Sequence, residues 1–539
     1  MANITVTPQG NIYLCKTKLE NDYKNQLTFT DATAQSSYFS STVQHTYSNY
    51  TYVKKDNYVQ VSDNIDSIIN CNYLYYRNTG FTTKIYYCFI TRMEYVNENC
   101  TRIYFETDVY QTWLFQIQYT QSFVEREHVN DDTIGLHTVP EGLETGEYVN
   151  QNLINSTDAG SNYMLNIHFI VALSDWPFDS AQPTNYHVYN GLFSGFLYLA
   201  FNTTEDLRLF LLDIQDETTG DPINSIFVTP ANLTTLQSSD FQVLVTGKTW
   251  KAAWVPNSNS YIHMGNFYIS DIKTLDQDYV PVNKKLLCYP YRYILVNNNA
   301  GSSYDYKYEW FTVKDEQENI PRCVFSIYGV ISPGCSIKLF PQSYNEKYTN
   351  EFIPNYLYGL DAGKLPTCSW WNDTYTNWLT QNAVNMPLQA LGNITNIAKG
   401  VVGDFGSTAK GITGIFSQIG EMYTHSLEPN TGKGGVNQGD LMFSSQKSYT
   451  FKRMSIRKEY AQIIDNYFSM FGYKINRVKV PNITGRTNWN YVKTINCNFE
   501  GDIPQTDLQI IRRIFDNGIT LWHNPTTMLN YSNTNNIII

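Results

Sequence analysis

Residues 84–108, KIYYCFITRMEYVNENCTRIYFETD, decide the fold class. On each side of the turn Asn97-Glu98-Asn99 the residues alternate between two faces, and a period of two residues is typical of a β-strand. One face of the first strand carries Ile85, Tyr87, Phe89, Thr91, Met93 and Tyr95, and the other carries Lys84, Tyr86, Cys88, Ile90, Arg92 and Glu94. The pattern predicts a long β-hairpin.

The composition of the chain around this hairpin also favours strands. Of the 539 residues, 42% are hydrophobic, 16% are charged and 15% are aromatic, and 43 are tyrosine. Tyrosine and threonine are favoured on half-buried pleated surfaces. From about residue 166 to 344, short β-like runs alternate with Asn, Gly, Pro and Ser turns, which indicates a second β-rich domain.

The C-terminal region changes to a mixed pattern. A helical pattern runs from about Tyr460 to Phe471 and ends at Gly472, and strand-like runs follow at 474–480 and 490–499. A second helix is indicated by Thr506 or Asp507 as the N-cap and by a stop at Asn517-Gly518. The chain is therefore predicted to be mainly β with a C-terminal α+β unit.

Charge and hydrophobicity exclude several classes of protein. The formal net charge is −11, which disfavours a general surface for nucleic acid or anionic membrane. It suits a wall along which DNA slides without sticking. The N-terminus lacks a basic start and an apolar core segment, and no run of 18 apolar residues occurs. The sequence predicts neither a Sec-secreted protein nor an ordinary membrane protein.

Nine cysteines are scattered through the chain without a CxxC pair. Reduced thiols in a protein made in a cytosol are the simpler interpretation of an odd number of isolated cysteines.

A search for catalytic and metal-binding patterns finds no complete site. HExxH, GxSxG, GxxxxGK[ST] and GxGxxG are absent. Residues 125–128, EREH, lack the second histidine of a zinc protease and are interpreted as a charged strand end or subunit contact. We expect no catalytic residues, no metal ligands and no cofactor. Carboxylate pairs that meet only in space stay open, because their partnership cannot be read from spacing.

Three further clusters of residues each allow a structural interpretation and a functional one. Asp213, Asp216, Glu217 and Asp221 are interpreted as a solvated acidic loop or a Ca²⁺ site, although their spacing departs from the EF-hand rule. The aromatic run at 370–378 belongs to a core or stacks on a sugar. The basic residues Lys447, Lys452, Arg453, Arg457 and Lys458 form a solvated face, contact an acidic neighbouring subunit, or contact DNA phosphate.

Five stretches resemble one family. Residues 104–113 (YFETDVYQTW), 122–129 (SFVEREHV) and Glu141-Gly142-Leu143 are similar to tail knob proteins of small Bacillus podophages. Residues 465–477 (DNYFSMFGYKINR) and 514–523 (IFDNGITLWH) are similar to the same family. The resemblance is strong over 80–150 and 450–525 and faint around 289–344.

The resemblance implies a virion protein at the distal end of the tail, synthesised in the host cytoplasm. It implies a hexameric homo-oligomer forming a tube, with a wider knob and apolar loops that plug the tube and enter the host membrane. The implied partners are other copies of the chain, an upper tail tube or collar protein, genomic DNA passing through the lumen, and the host cell membrane. The predicted domains are 1–160 and 445–539 for the tube, 161–375 for the knob and 376–444 for a Gly-rich plug loop.

The plug segment has an amphipathic pattern. On a helix, one narrow sector holds the predicted membrane-active residues Leu391, Ile394, Val401, Phe405, Ile412, Phe416 and Ile419. A helix over 388–422 is about 50 Å long at ~1.5 Å per residue, enough for a ~30 Å hydrocarbon core. Lys399, Asp404 and Lys410 disfavour a lone spanning helix. In the family the plug loop is longer and more apolar, and a buried heptad-like helix or a flexible linker remain alternatives.

Two other functional classes compete with the tail tube. One is a receptor-binding adhesin that uses exposed tyrosine and tryptophan in 166–370. The other is a tail enzyme that degrades cell-wall glycan, whose catalytic constellation is not found in the sequence.

Overall fold

The protein is described here from a computed structural model that covers most of the chain. The residues it does not describe are 1–9, 51–56, 79–83, 156–166, 177–195, 202–205, 208–209, 211–213, 215–221, 231–233, 237–240, 244–247, 251–253, 257–261, 299–300, 313–321, 332–335, 346–353, 363–366, 370–435, 438–448 and 539. The chain divides into two compact units. Unit 1 holds residues 1–145, 281–286 and 458–539, and unit 2 holds residues 146–280 and 287–457.

Unit 1 combines strands and helices from both ends of the chain. Its strands are β1 Gly10–Cys15, β2 Asn25–Leu27, β3 Val43–Tyr50, β4 Tyr58–Val61, β5 Tyr73–Asn78, β6 Ile85–Asn97, β7 Cys100–Thr107, β8 Ile117–Gln118 and β9 Ser122–Glu127. Its helices before residue 145 are α1 Ala32–Ser41, α2 Ile65–Ile68 and α3 Val109–Trp113. The strands β6 and β7 form the predicted hairpin.

The regular structure of unit 2 consists mostly of strands in its described residues, with short 3-10 helices at Asp276–Asp278, Tyr308–Trp310 and Tyr356–Tyr358. The strands are β10 Tyr148–Asn155, β11 Ile167–Leu173, β12 Leu197–Phe201, β13 Ile223–Pro230, β14 Thr234–Leu236, β15 Phe241–Val243, β16 Lys248–Trp250, β17 Trp254–Pro256, β18 Ile262–Ser270, β19 Arg292–Asn297, β20 Ser303–Tyr306, β21 Arg322–Val330, β22 Ser336–Pro341, β23 Leu360–Asp361, β24 Thr367–Ser369, β25 Val436–Asn437 and β26 Thr450–Ile456.

The C-terminal part of the chain returns to unit 1 with alternating helices and strands. These are α4 Lys458–Phe471, β27 Tyr473–Lys479, β28 Trp489–Ile495, β29 Glu500–Gly501, α5 Gln505–Asn517 and β30 Ile519–Trp522. The predicted fold class, mainly β with a C-terminal α+β unit, is confirmed.

The hairpin departs from strict alternation at two residues, Thr91 and Val96. The register passes from Ile90 opposite Phe105 to Arg92 opposite Tyr104, so Thr91 is an extra residue. A β-bulge of this kind reverses the faces beyond it. As a result Met93 packs on the same core cluster as Cys88, and the predicted common face of Tyr87 and Met93 is wrong.

The hairpin lies inside a six-stranded antiparallel sheet in the order β3-β1-β5-β6-β7-β4. The two edge strands approach each other, so the sheet is curved. The Tyr47 hydroxyl on β3 donates a hydrogen bond of 2.5 Å to Asp63 Oδ2, which lies just after β4. Tyr50 and Ser62 share a second hydrogen bond of 2.8 Å at this closure. The concave face buries one apolar cluster, which includes Ile12, Leu74 and Ile103.

A second sheet of unit 1 interleaves the two ends of the chain. Its order is β2-β30-β28-β9-β27, so the N-terminal strand β9 lies between two C-terminal strands. The rings of Trp489 and Trp522 lie 5.0 Å apart on one face and join Tyr73 and Phe89 of the first sheet in one core cluster. Helix α5 covers the other face through Ile511 and other apolar residues.

Two local predictions in the C-terminal region are wrong. Helix α5 begins at Gln505, with Pro504 at the N-cap position and no side-chain cap, because the proline side chain carries no hydrogen-bonding atom. Asp507 instead accepts a hydrogen bond of 2.9 Å from Trp113 Nε1. Strand β28 ends at Ile495 and does not reach residue 499, since the φ of Asn496 is +54° and the Cys497 N–H donates to Asp516.

In unit 2 the strands form several separate sheets. The main ones are β10-β26-β19-β20, β12-β11-β13-β24-β25 and β18-β21-β22-β23. The first of these contains strands from residues 148–155 and 450–456, which pair directly. In the described part of the chain, seven cysteines carry free thiols: Cys15, Cys71, Cys88, Cys100, Cys288, Cys323 and Cys497.

Candidate functional site

The predicted membrane-active residues lie outside the residues that the structure describes. These are Leu391, Ile394, Val401, Phe405, Ile412, Phe416 and Ile419. The acidic group at 213–221 and the aromatic run at 370–378 also lie outside. Among the described helices, none is both long enough and apolar enough to cross a membrane. The described residues likewise contain no group of three or more His, Cys, Asp or Glu arranged to hold a metal ion.

Residues 125–128 are a structural element of unit 1. Strand β9 has a neighbouring strand on each side in its sheet, and the side chains of Arg126 and Glu127 are buried although they are charged. The Arg126 Nη1 donates to the carbonyl oxygen of Gly472 at 2.7 Å. Glu127 pairs with the Lys479 ammonium group at 2.5 Å and accepts the Asn482 N–H at 2.8 Å. Arg126 and Glu127 thus bind the residues at the two ends of β27.

His128 completes this element as a neutral ring. Its Nδ1 accepts the Tyr491 N–H at 2.8 Å, so the proton sits on Nε2, which donates to the Ser469 carbonyl oxygen at 3.1 Å. Burial, together with the positive charge of Arg486, lowers the pKa of His128 to about 3. Because both ring nitrogens are occupied, His128 orients the chain and has no free position for a substrate.

Glu141 is the centre of a buried ion cluster. Its carboxylate pairs with Arg126 and with Lys285, and side-chain exposure is 1% for Glu141, 9% for Arg126 and 3% for Lys285. The same carboxylate accepts the backbone N–H of Lys474 at 2.9 Å. Burying charges is costly unless partners surround them, and two cations and one amide meet that requirement here.

A second carboxylate holds the short segment 281–286. Asp465, on α4, accepts the N–H groups of Val282 and Asn283 at 2.8 and 2.9 Å. The Asn283 side-chain amide donates to the same carboxylate at 2.7 Å and to Ser469 Oγ at 2.8 Å. The segment is therefore fixed to the helix by both backbone and side-chain hydrogen bonds.

A third carboxylate fixes the loop after β9. Asp132 accepts the Tyr473 hydroxyl at 2.6 Å and the Lys284 N–H at 3.0 Å. Burial raises the pKa of Tyr473, and the negative charge of Asp132 raises it further, so the hydroxyl keeps its proton as a donor.

Together these residues form what we call the anchor cluster: Arg126, Asp132, Glu141, Asn283, Lys285, Asp465 and Tyr473. It ties the loop around residue 141 and the segment 281–286 to α4 and β27. The chain leaves or enters unit 1 at residues 145, 281, 286 and 458, next to these segments. The cluster thus holds the points where the chain passes between the units, and its carboxylates are engaged by cations, amides and a hydroxyl.

Sequence reasoning found only part of this cluster. Arg126, Glu141 and Asp465 lie in the stretches that resemble the phage family, whereas no motif or pattern in the sequence singles out Asp132, Asn283 and Lys285. The partners of Asn283 and Lys285 lie 182 and 144 positions away. No periodicity or motif links positions so far apart. Their pairing is visible only in the folded structure, where the charges are buried together.

The described residues of the predicted basic run are divided between the two units. Lys447 is not described, while Lys452 and Arg453 lie on β26 and Lys458 begins α4. Arg457 forms a 2.8 Å ion pair with Glu147, and Arg453 donates to the Ser270 carbonyl oxygen at 3.2 Å. Part of this charge is therefore used within unit 2.

Comparison with known proteins gives consistent matches over the whole chain. Residues 253–536 match the family model of the C-terminal domain of the tail knob protein gp9 of Bacillus phage phi29. Residues 10–118 match the N-terminus of the caudoviral major tail protein. The tail knob protein gp9 of Bacillus phage B103 is 26% identical, covering 93% of this chain and 94% of that protein. That of phage phi29 is 24% identical over 100% of both.

A solved structure has the same fold. The tail knob protein gp12 of bacteriophage C1 superposes with a TM-score of 0.57 and 14% sequence identity, covering 98% of this chain and 100% of that chain. The resemblance found in five short stretches is confirmed.

Proposed function

The chain belongs to the tail knob family of the Bacillus phages and is a structural component of the phage tail, and from this premise we propose that it forms a closed ring of six copies. In this proposal the ring continues the tail tube at its distal end, and the genome passes through its lumen. Unit 1 supplies the tube and unit 2 the wider knob. An upper tail tube or collar protein binds the ring at its other end.

An exposed apolar row on unit 1 supports contact between copies. Phe123 on β9 lies directly opposite Val478 on β27 and Ile495 on β28. The three side chains are 37%, 66% and 46% exposed, although they form a continuous row across three strands. The Glu125–Lys493 ion pair of 2.8 Å lies next along two of these strands. A contiguous apolar surface bordered by charges is typical of a protein interface.

The overall charge supports a lumen for DNA. A net charge of −11 makes tight binding to phosphate unfavourable, and a conduit must not retain the molecule that passes through it. We propose that the protein acts as a passive wall and has no enzymatic activity. The relatives' names describe tail knob proteins, in agreement with a structural role.

The ring is tested by measuring the mass of the purified full chain by native mass spectrometry. We expect a six-copy species, and we expect Phe123→Lys to shift the population toward monomers because a charge would enter the buried row. Ile69→Lys, at a side chain 61% exposed elsewhere in unit 1, serves as the matched control. A strictly monomeric wild-type chain contradicts the ring. An intact ring in the Phe123 variant removes the row from the interface without contradicting the ring.

We further propose that the segment 388–422 plugs the lumen and enters the host membrane on infection. The support is its amphipathic pattern, with Phe405 and Phe416 on the apolar side. Several copies with their polar sides turned to a shared lumen would keep Lys399 and Asp404 away from lipid.

A further inference from the structure

The outer face of one sheet in unit 2 carries a row of tyrosines. In β19 buried and half-buried residues alternate, so Ile294 points inward and Tyr293 outward. The Tyr293 ring contacts Tyr148 of β10 at a centroid distance of 5.6 Å and Tyr289 at 5.8 Å. Both contacts are edge-on, with 63° between the ring planes. We call Tyr148, Tyr289 and Tyr293 the tyrosine platform.

The hydroxyl groups of the platform are free to bind a ligand. Among the residues that the structure describes, no hydrogen-bond partner lies within reach of the Tyr148, Tyr289 or Tyr293 hydroxyl. Burial raises the pKa of Tyr293 to about 12, with the negative charge of Asp305 adding to the effect. The phenol therefore stays protonated at neutral pH and keeps both donor and acceptor capacity.

Charged groups border the platform at one end. Asp305 lies opposite Leu295 in the sheet, two residues along β19 from Tyr293. The Lys307 ammonium group lies 4.9 Å from the centroid of the Tyr289 ring. Glu309 Oε1 accepts the Tyr289 N–H at 3.0 Å, whereas its Oε2 is buried and has no hydrogen-bond partner in the described part of the chain. The exposed Asp305 is therefore the carboxylate that a ligand can reach, because the unpaired Glu309 oxygen is enclosed by protein atoms.

We propose that the tyrosine platform binds a neutral glycan. Pyranose rings present C–H faces to aromatic rings and hydroxyl groups to nearby carboxylates and phenols. A row of rings with free hydroxyls and the exposed Asp305 carboxylate at its border offers both kinds of contact. A polyanion is the competing ligand, because Lys307 borders the platform beside Asp305 and Lys452 lies opposite Leu295 in the same sheet, so heparin is included in the test. A lipid fits poorly because the bordering groups are polar.

Glycan binding by the platform does not require the ring, whereas its use in holding the tail rests on the proposed function. It gives the knob a function that a tube does not need, which is to hold the tail against a host surface glycan while the genome passes. The ring and the platform are separable, since the row at Phe123 lies in unit 1 and the platform in unit 2.

The test is isothermal titration of the full-length protein with three neutral tetrasaccharides, tetra-N-acetylchitotetraose, cellotetraose and maltotetraose, and with heparin as a polyanion. We expect saturable binding of at least one tetrasaccharide and none of heparin. Tyr293→Ala should weaken that binding about tenfold, as expected for loss of one stacking ring. Tyr293→Phe should weaken it less, because the ring remains and only the hydroxyl is lost.

Tyr268→Ala, at a tyrosine 49% exposed on β18 of the same unit, is the matched control and should bind as the wild type does. Thermal unfolding of each variant establishes that it is folded. If none of the tetrasaccharides binds at millimolar concentration, the platform is not a glycan site. Equal binding by the wild type and by folded Tyr293→Ala would also overturn the proposal, as would preferential binding of heparin.

Discussion

The carboxylate of Glu141 and the ammonium group of Lys285 form a buried ion pair, although 144 positions separate them in the chain. Glu141 lies in an irregular loop, and Lys285 lies in the short 3-10 helix Lys284–Leu287. The pair fastens both segments to unit 1 next to the places where the chain leaves it. The anchor cluster around this pair therefore fixes the positions at which the chain leaves unit 1. The secondary-structure preferences of the two segments do not fix them.

Replacing Lys285 by methionine should release the segment 281–286. Methionine keeps the apolar stem of the side chain but leaves Glu141 with one cation fewer, and breaking a buried ion pair costs about 3 to 5 kcal/mol. Hydrogen exchange of the Val282, Asn283 and Lys474 amides should become at least about 100-fold faster. Lys24→Met is the control, because Lys24 pairs with Asp22 at a side-chain exposure of 77% and such pairs contribute below about 1 kcal/mol. Unchanged exchange in the Lys285 variant would show that the pair does not hold the segment.

Gly472 should tolerate no side chain. Its φ is +67°, and an added Cβ would lie 2.1 Å from the Glu127 carbonyl oxygen. Gly142 has nearly the same φ, +69°, with open space around it. Gly142→Ala should therefore cost only the conformational strain, about 1 to 2 kcal/mol, whereas Gly472→Ala must also displace β9. Calorimetric melting should show a clearly larger loss for Gly472→Ala, and equal losses would contradict the close backbone contact.

Asp108 should make unit 1 less stable as the pH rises toward 8. Burial raises the pKa of Asp108 to about 7, against hydrogen bonds from the Gln111 N–H at 3.1 Å and the Tyr73 hydroxyl at 2.9 Å. Between about pH 4 and 7 the folded chain keeps a proton that the unfolded chain has released, so stability falls as pH rises through this window. Asp108→Asn, which preserves an N-cap acceptor, should flatten this dependence. Urea unfolding from pH 4 to 8 measures it, and an identical slope in the variant would refute it.

His128 should have the opposite effect at acid pH. Because burial lowers its pKa to about 3, the unfolded chain binds a proton below about pH 6.5 that the folded chain rejects. The stability that His128 contributes is complete above pH 6.5 and is lost as the pH falls toward 3. His128→Asn, which can still accept the Tyr491 N–H, should lower stability at pH 7 but reduce the acid loss. If the difference between wild type and variant stays constant from pH 7 to 4, the histidine is not buried in its neutral form.

The plug proposal is tested by Phe405→Asp together with Phe416→Asp. If Leu391, Ile394, Val401, Ile412 and Ile419 share a lipid-facing side with them, the variant should assemble normally and fail to release dye from liposomes. Burial of each large apolar side chain is worth roughly 1.5 to 3 kcal/mol, so two charges would remove much of the driving force. Ser407→Asp, a charge elsewhere in the same segment, is the control. Misfolding of the double variant would make the stripe a structural core, and unchanged dye release would make the segment a linker.

Local patterns in the sequence determined a substantial part of this protein. The alternation at 84–108 predicted the hairpin, and the periodicity of the C-terminal region predicted α4 and α5. Five short stretches were enough to indicate the family. These features depend on residues within a few positions of each other, which is the range that periodicity, caps and motifs report.

The tertiary structure decided the features that depend on distant partners. The bulge at Thr91 interrupts the two-residue period of the strand. Helix α5 begins at Gln505 without the expected side-chain cap. Strand β9 enters between β27 and β28, Lys285 finds Glu141, and Tyr148 meets Tyr293 because folding joins segments more than a hundred positions apart. A charge or a strand edge without a partner is costly only when it is buried, and these groups become buried only when the chain folds. The tertiary structure therefore decides which of these contacts form.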